Sequence, residues 1–250
     1  MPEEHQISDQ GSFIGQEGSF AYVAGGYTQD YTAQDTVFRI DTVKTTEEEM
    51  LAIETVAPMN AARGDITGVT ADDGTYAVLG GGFTHENKFC SPLDSVERYD
   101  FDKNEWTKLP PLINARGEVV FVELNDHVLG LGGERQVENI CDIVDSTDPG
   151  EHTLATTLVE LWEKGRGDWT IIADFPNHKF RFAAIGLTVT ETIYAFGGQT
   201  VYDSECQCFK TSDEISVLKE MEEGSSAVAT APISTLLFVL SAITGWFVLY

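Results

Sequence analysis

Short apolar runs that end in a pair of glycines recur along this chain. They are Tyr22-Val23-Ala24-Gly25-Gly26, Tyr76-Ala77-Val78-Leu79-Gly80-Gly81-Gly82, Val128-Leu129-Gly130-Leu131-Gly132-Gly133 and Ile193-Tyr194-Ala195-Phe196-Gly197-Gly198. An apolar run of this length bounded by glycine predicts a buried strand, and the glycines let the backbone pass close to a neighbour where a Cβ would clash. The second glycines stand at 26, 82, 133 and 198, so the unit repeats at intervals of 51 to 65 residues. A fixed unit at such a period predicts a repeat architecture.

Each glycine pair is followed by alternating or apolar segments that predict further strands. After the first come Val37–Asp41 and Ile53–Val56, and after the second Ser95–Asp100 and Glu105–Leu109, joined by a turn at Asp102-Lys103-Asn104. The third unit carries a long acidic loop, Glu134 to Thr156, before Leu158–Trp162 and Asp168–Ile172. The fourth runs to Glu214–Leu218 and, on this reading, stops without its last strand. Every unit thus reads as short antiparallel strands forming one twisted blade, an all-β protein. An arginine keeps phase with the glycines: Arg63 precedes Gly81 by 18 positions, Arg116 precedes Gly132 by 16, and Arg181 precedes Gly197 by 16.

At these residues the chain resembles the kelch repeat, over roughly Ser12 to Leu218. The matching elements are the glycine pair, a Tyr-Asp further on (Tyr99-Asp100), a tryptophan shortly after (Trp106, Trp169), then Pro-Leu and an arginine. The second unit has the whole set; the first lacks the leading arginine and the tryptophan. The resemblance implies a kelch-type β-propeller of four-stranded antiparallel blades, whose family members usually have about five to seven of them. About four blades are recognisable here, the first and last incomplete. An open arc would leave apolar faces in water, so either further blades lie in divergent sequence or the chain is a fragment. The first unit starts mid-blade, which leads to the expectation of a partial propeller with a missing front.

Composition sharpens this picture. The net charge is −26, and every charged residue lies before Gly224, so the repeat region is strongly acidic. Such a surface repels phosphate and excludes nucleic acid as a direct ligand, while favouring basic partners. The 4 cysteines (Cys90, Cys141, Cys206, Cys208) are too few for a disulfide framework, and their pairing is not readable from spacing.

The last stretch, Ile233 to Tyr250 (including Leu237 and Trp246), is 18 residues without a charge. As a helix it reaches about 27 Å, close to the thickness of a bilayer's hydrocarbon core. Two readings are open: a retained transmembrane helix, or a glycosylphosphatidylinositol attachment signal cleaved near Gly224, Ser225 and Ser226. The expected organisation is a polar segment 1–11, a propeller 12–220, a linker 221–232 and a membrane segment 233–250.

The 5 histidines (His5, His85, His127, His152, His178) are scattered singly, so no metal centre and no cofactor are expected from the sequence. Nucleotide-binding, metalloprotease and nucleophile-elbow motifs are absent. The expectation is a non-enzymatic, membrane-tethered binding module, displayed outside the cell or in a secretory lumen, for a protein or glycan. One alternative is a copper enzyme like galactose oxidase, which also uses a kelch propeller, with its ligands in missing blades. Another is a cytosol-facing, tail-anchored adaptor, in which Cys206 and Cys208 would stay reduced.

Overall fold

The computed structural model describes residues 7–15, 18–43, 52–84, 92–136, 153–219 and 227–232. Within them the chain is all-β, a four-bladed propeller in which each blade is a 4-stranded antiparallel sheet. The first blade contains β1 (Gly11–Gly15), β2 (Phe20–Ala24), β3 (Val37–Asp41) and β4 (Ile53–Val56). The second contains β5 (Gly68–Thr70), β6 (Tyr76–Gly80), β7 (Val96–Asp100) and β8 (Glu105–Leu109). The third is built from β9 (Val120–Leu124), β10 (His127–Leu131), β13 (Leu158–Glu163) and β14 (Arg166–Asp174). A side hairpin, β11 (Glu134–Gln136) with β12 (Thr153–Ala155), roots the acidic loop, of which 137–152 lie outside the described residues.

The fourth blade contains β15 (Ala183–Leu187), β16 (Thr192–Phe196), β19 (Glu214–Lys219) and β20 (Ala227–Pro232), with a hairpin of β17 (Gln199–Asp203) and β18 (Cys208–Thr211). Here the structure corrects the sequence reading, which ended this blade at its third strand. Ala227–Pro232, read as linker, pairs antiparallel with β19 from Lys219↔Ala227 to Glu214↔Pro232. The stretch is small, uncharged and lacks alternation, so its pattern gave no strand signal; its backbone supplies the pairing all the same. A disulfide joins Cys206 and Cys208 in the turn between β17 and β18. The candidate attachment residues Gly224, Ser225 and Ser226, and the segment Ile233–Tyr250 with Leu237 and Trp246, lie outside the described residues. Among the described residues no helix is long and apolar enough to cross a membrane.

Inner strands of successive blades, β1, β5, β9 and β15, pack against one another in chain order. Three apolar clusters fill the spaces between blades. One holds Phe13, Tyr22 and Val37 against Ile66, Leu79, Tyr99 and Phe101. The next holds Tyr76, Val78 and Val96 against Val119, Phe121, Trp162 and Trp169. The last holds Val122, Leu129, Leu131 and Val159 against Ile193, Ala195 and Leu218. The same strand position supplies each forward-facing residue: Phe13, Val69 and Val122 enter the three clusters in turn. The fourth copy, Ile185, is 51% exposed, and beside it Leu187 and Phe196 are 41% exposed. The forward face of the fourth blade therefore carries the apolar pattern of the other three, with no blade among the described residues upon it.

Candidate functional site at the axial mouth

Glycine pairs at the ends of β2, β6, β10 and β16 set the geometry of one mouth of the propeller. In each pair both φ angles are positive: +67° and +91° at Gly25 and Gly26, +65° and +86° at Gly81 and Gly82, +53° and +104° at Gly132 and Gly133, and +58° and +101° at Gly197 and Gly198. A Cβ at Gly81 would lie 2.4 Å from the Arg116 carbonyl oxygen, so steric contact and backbone conformation both demand glycine. The second N–H of the first three pairs donates to the following blade: Gly26 to Arg63 O (2.8 Å), Gly82 to Arg116 O (3.1 Å) and Gly133 to Lys179 O (2.9 Å).

Those acceptors show which residues are equivalent. Arg63 and Arg116 are fully buried and bind their own blade's glycine strand to its third strand. Arg63 donates to Gly81 O (2.9 Å), Ser95 O (2.8 Å) and Glu97 Oε1 (2.8 Å), while Glu97 accepts two further bonds from Asn60 (both 2.7 Å). Arg116 donates to Gly132 O (2.7 Å) and Glu160 Oε1 (2.5 Å), and Glu160 also accepts from the Ile113 and Asn114 amides. A buried guanidinium is tolerable only with a carboxylate and carbonyls filling its donors, as here. Arg181, read from spacing as the third member of this series, does not share that place. Lys179 does: it is buried and donates to Ser216 Oγ at 3.1 Å, with its ammonium pKa lowered by burial. The two-residue difference was hidden because spacing was counted on arginine rather than on any cation.

Other singled-out residues are packing elements. Tyr99 is buried, donates to Asn104 Oδ1 (2.8 Å) and lies 5.0 Å from Trp106, ring centre to ring centre. Trp106 donates its indole N–H to Ala57 O and Trp169 to Pro110 O, each at 2.9 Å, fastening an outer strand to the connection arriving from the previous blade. Asp100 closes the β7–β8 turn on Lys103, accepting its amide at 3.0 Å and its ammonium at 2.8 Å.

Just before each inner strand stands one residue in the left-handed backbone region: Asp9 (φ 55°), Asp65 (56°), Glu118 (51°) and Arg181 (50°). They step around the axis, the Asp65 amide donating to Asp9 O (2.9 Å) and the Glu118 amide to Asp65 O (2.7 Å). The residues after the glycine pairs, Tyr27, Phe83, Glu134 and Gln199, bridge to the same segments. Acidic side chains from three blades thereby gather at one mouth, with Arg181 beside them. Tyr27 donates its hydroxyl to Asp65 Oδ2 (2.8 Å), and Arg181 Nε donates to Glu118 Oε1 (2.6 Å). Burial pushes the Glu118 carboxyl up to about 7 against the pull of Arg181. Burial, and then the charge of Glu118, pushes Glu134 up to about 8. Asp65 is raised by burial as well, and the Tyr27 phenol is raised by burial and the neighbouring carboxylates.

Sequence reasoning missed this cluster because its members are not alike: two aspartates, two glutamates and an arginine at equivalent or adjacent positions. The signal that could have found it is positional: the residue two places after the buried cation, as Asp65 follows Arg63, Glu118 follows Arg116 and Arg181 follows Lys179. At the opposite mouth Glu123 is likewise raised to about 7 by burial and by the neighbouring Asp72 side chain. Among the described residues no group of three His, Cys, Asp or Glu side chains is arranged to hold a metal ion. Of the histidines described, His127 is partly buried with Nδ1 2.7 Å from Asn125 O, and His178 is exposed.

Comparison with known proteins agrees with this geometry. No curated protein matches the sequence. Among solved structures, the chain superimposes on YjhT with a TM-score of 0.67 at 14% identity, covering 94% of this chain and 68% of that one. It also superimposes on a fungal alcohol oxidase of the AA5 family in complex with copper, with a TM-score of 0.62 at 17% identity, covering 90% of this chain but only 42% of the oxidase. At these identities the likeness concerns the fold. The model of the Kelch motif matches residues 67–113, which run from the start of β5 past the end of β8. The second blade thus matches the Kelch motif, and the described residues fold as four blades of a β-propeller.

Proposed function

We propose that the protein is a membrane-tethered interaction module that presents the acidic axial mouth of a kelch propeller to a basic partner, protein or glycan, outside the cell or in a secretory lumen. The observation that carries this reading is the convergence of Asp9, Asp65, Glu118 and Glu134 from successive blades onto one face. Propeller loops held by a rigid scaffold suit recognition, and a concentrated negative field speeds encounter with cationic partners. The Kelch motif and the propeller fold support an interaction role; tethering rests on the uncharged stretch Ile233–Tyr250.

Two measurements test the reading on the full chain. Membrane fractions treated with phosphatidylinositol-specific phospholipase C separate a lipid anchor, which is released, from a retained helix, which is not; a protein found free of membranes before treatment sinks the tethering. Binding to an array of basic proteins and glycans is expected to weaken steeply with salt. A salt-independent or absent response removes the basic partner. The likeness to a copper-containing oxidase keeps a second reading in view, an enzyme whose ligands lie outside the described residues. Stoichiometric copper in the purified full-length protein would favour it. Free thiols at Cys206 and Cys208 in the native protein would instead favour a cytosol-facing adaptor.

A further inference from the structure

Among the described residues, the axial mouth holds more carboxylates than side-chain donors to pair them. Glu118 spends Oε1 on Arg181, and its Oε2 is buried without a hydrogen-bond partner. Glu134 is 7% exposed, and no side chain among the described residues donates to its carboxylate. Asp65 has the Tyr27 hydroxyl, and Asp9 stands exposed at the rim. Among the described residues Arg181 is the cation that acts on Glu118, Glu134 and Asp65, and with Asp9 at the rim the formal charge is −4 + 1 = −3 when all are ionised. Buried polar groups are almost always satisfied, and a buried, unpaired carboxylate is among the costliest things a fold can hold.

We infer that the mouth is a binding site for one primary ammonium group, the lysine side chain of a partner protein or a free amine, received by Glu134, Glu118 and Asp65. This rests on the interaction reading above and names the chemistry that the module takes. An ammonium is compact and carries three donors that radiate, which suits oxygens arriving from different blades. A guanidinium wants both oxygens of one carboxylate in a fork, and Glu118 has already given one of its two to Arg181. The raised carboxyls fit the same assignment: at neutral pH the empty mouth keeps protons that an arriving cation displaces.

The experiment is isothermal titration calorimetry on the full-length protein at pH 7, in buffers of different ionisation enthalpy. The probes are Nα-acetyl-lysine methylamide, n-propylamine, the uncharged Nα-acetyl-glutamine methylamide and calcium chloride. Expected are one bound lysine derivative or amine per chain with net proton release, and no heat from the glutamine derivative. Tighter binding of the lysine derivative identifies a protein side chain as the natural source, and tighter binding of propylamine a free amine. Glu134→Gln is expected to weaken binding at least tenfold and to abolish most of the proton release, without lowering the thermal midpoint. The surface control Glu163→Gln leaves all of this unchanged. Unaltered affinity in Glu134→Gln overturns the inference, as does calcium binding with the same dependence on Glu134. If no amine binds while the array of proteins and glycans still does, the ammonium assignment falls and the interaction module stands.

Discussion

Replacing Arg63 and Lys179 with methionine tests, within one molecule, what holds the blades' inner seams. Arg63→Met strands Glu97, which is 1% exposed, with only the Asn60 donors, and removes the guanidinium bonds to the Gly81 and Ser95 carbonyls, the latter keeping the Gly81 amide. Removing one member of a buried ion pair costs about 3–5 kcal/mol, because the remaining charge stays in low dielectric. Lys179→Met loses one bond to Ser216, worth about 1 kcal/mol, and at the same time removes an ammonium that burial already disfavours. The expected order is therefore a loss of about 3–5 kcal/mol for the arginine against about 1 kcal/mol or less for the lysine. Urea unfolding at pH 7, read by tryptophan fluorescence and checked for constant m, measures both. The double variant Arg63→Met/Glu97→Leu is expected to recover much of the loss, since replacing a whole buried pair with apolar groups is often close to neutral. Equal costs for the two single variants, or no recovery in the double variant, would refute the assignment of the seam's strength to the arginine–glutamate pair.

Further outcomes follow from the same geometry. Gly82→Ala is expected to cost about 2 kcal/mol or more in urea melts, because φ is +86° and the new Cβ would meet Gly64 O at 2.4 Å; an unchanged midpoint would show that the loop relaxes freely. Val122→Asp buries an unpaired charge between the third and fourth blades and is expected to prevent folding or lower the thermal midpoint severely, whereas Ile185→Asp, at the same strand position but 51% exposed, leaves it nearly unchanged. Glu118 and Glu134 rise from 4.5 to about 7 and about 8 on folding, so the folded chain holds protons that the unfolded chain releases. Their contribution to stability is full below the ordinary glutamate range and is lost as pH rises through about 7 to 8. The thermal midpoint is expected to fall from about pH 5 to about pH 8 and to level off above it, and Glu134→Gln to flatten that profile; equal slopes for wild type and variant would contradict it.

Much of the fold was legible in the sequence because its constraints are local and periodic. Positive φ and close approach admit only glycine, so the four pairs mark the same corner in every blade. Alternation placed β7 and β8 nearly to the residue, and Trp106 and Trp169 announced outer strands that their indoles clip in place. Ala227–Pro232 escaped because its pairing comes from backbone groups rather than a side-chain pattern. Lys179 escaped because a buried cation was equated with arginine, and Ile7, at the corresponding place in the first blade, offers no cation at all. The acidic mouth was the least legible part. Asp9, Asp65, Glu118 and Arg181 share a backbone conformation and a place around the axis, not a residue type. Net charge foretold an acidic surface; only the stepping of successive loops about one axis concentrates it at one point.

The blade-to-blade seam itself is open to a single measurement, native-state hydrogen exchange of the eight paired-glycine amides followed by NMR. First glycines close their own hairpins, Gly25 on Thr36, Gly81 on Ser95, Gly132 on Leu158 and Gly197 on Glu214, so all four amides are expected to be protected. Second glycines report the seam: Gly26, Gly82 and Gly133 are expected to be protected by Arg63, Arg116 and Lys179 of the following blade, while Gly198, which has no such acceptor among the described residues, exchanges fast. Protection of Gly198 equal to its three counterparts, or fast exchange at Gly26, Gly82 and Gly133, would contradict the succession of four blades.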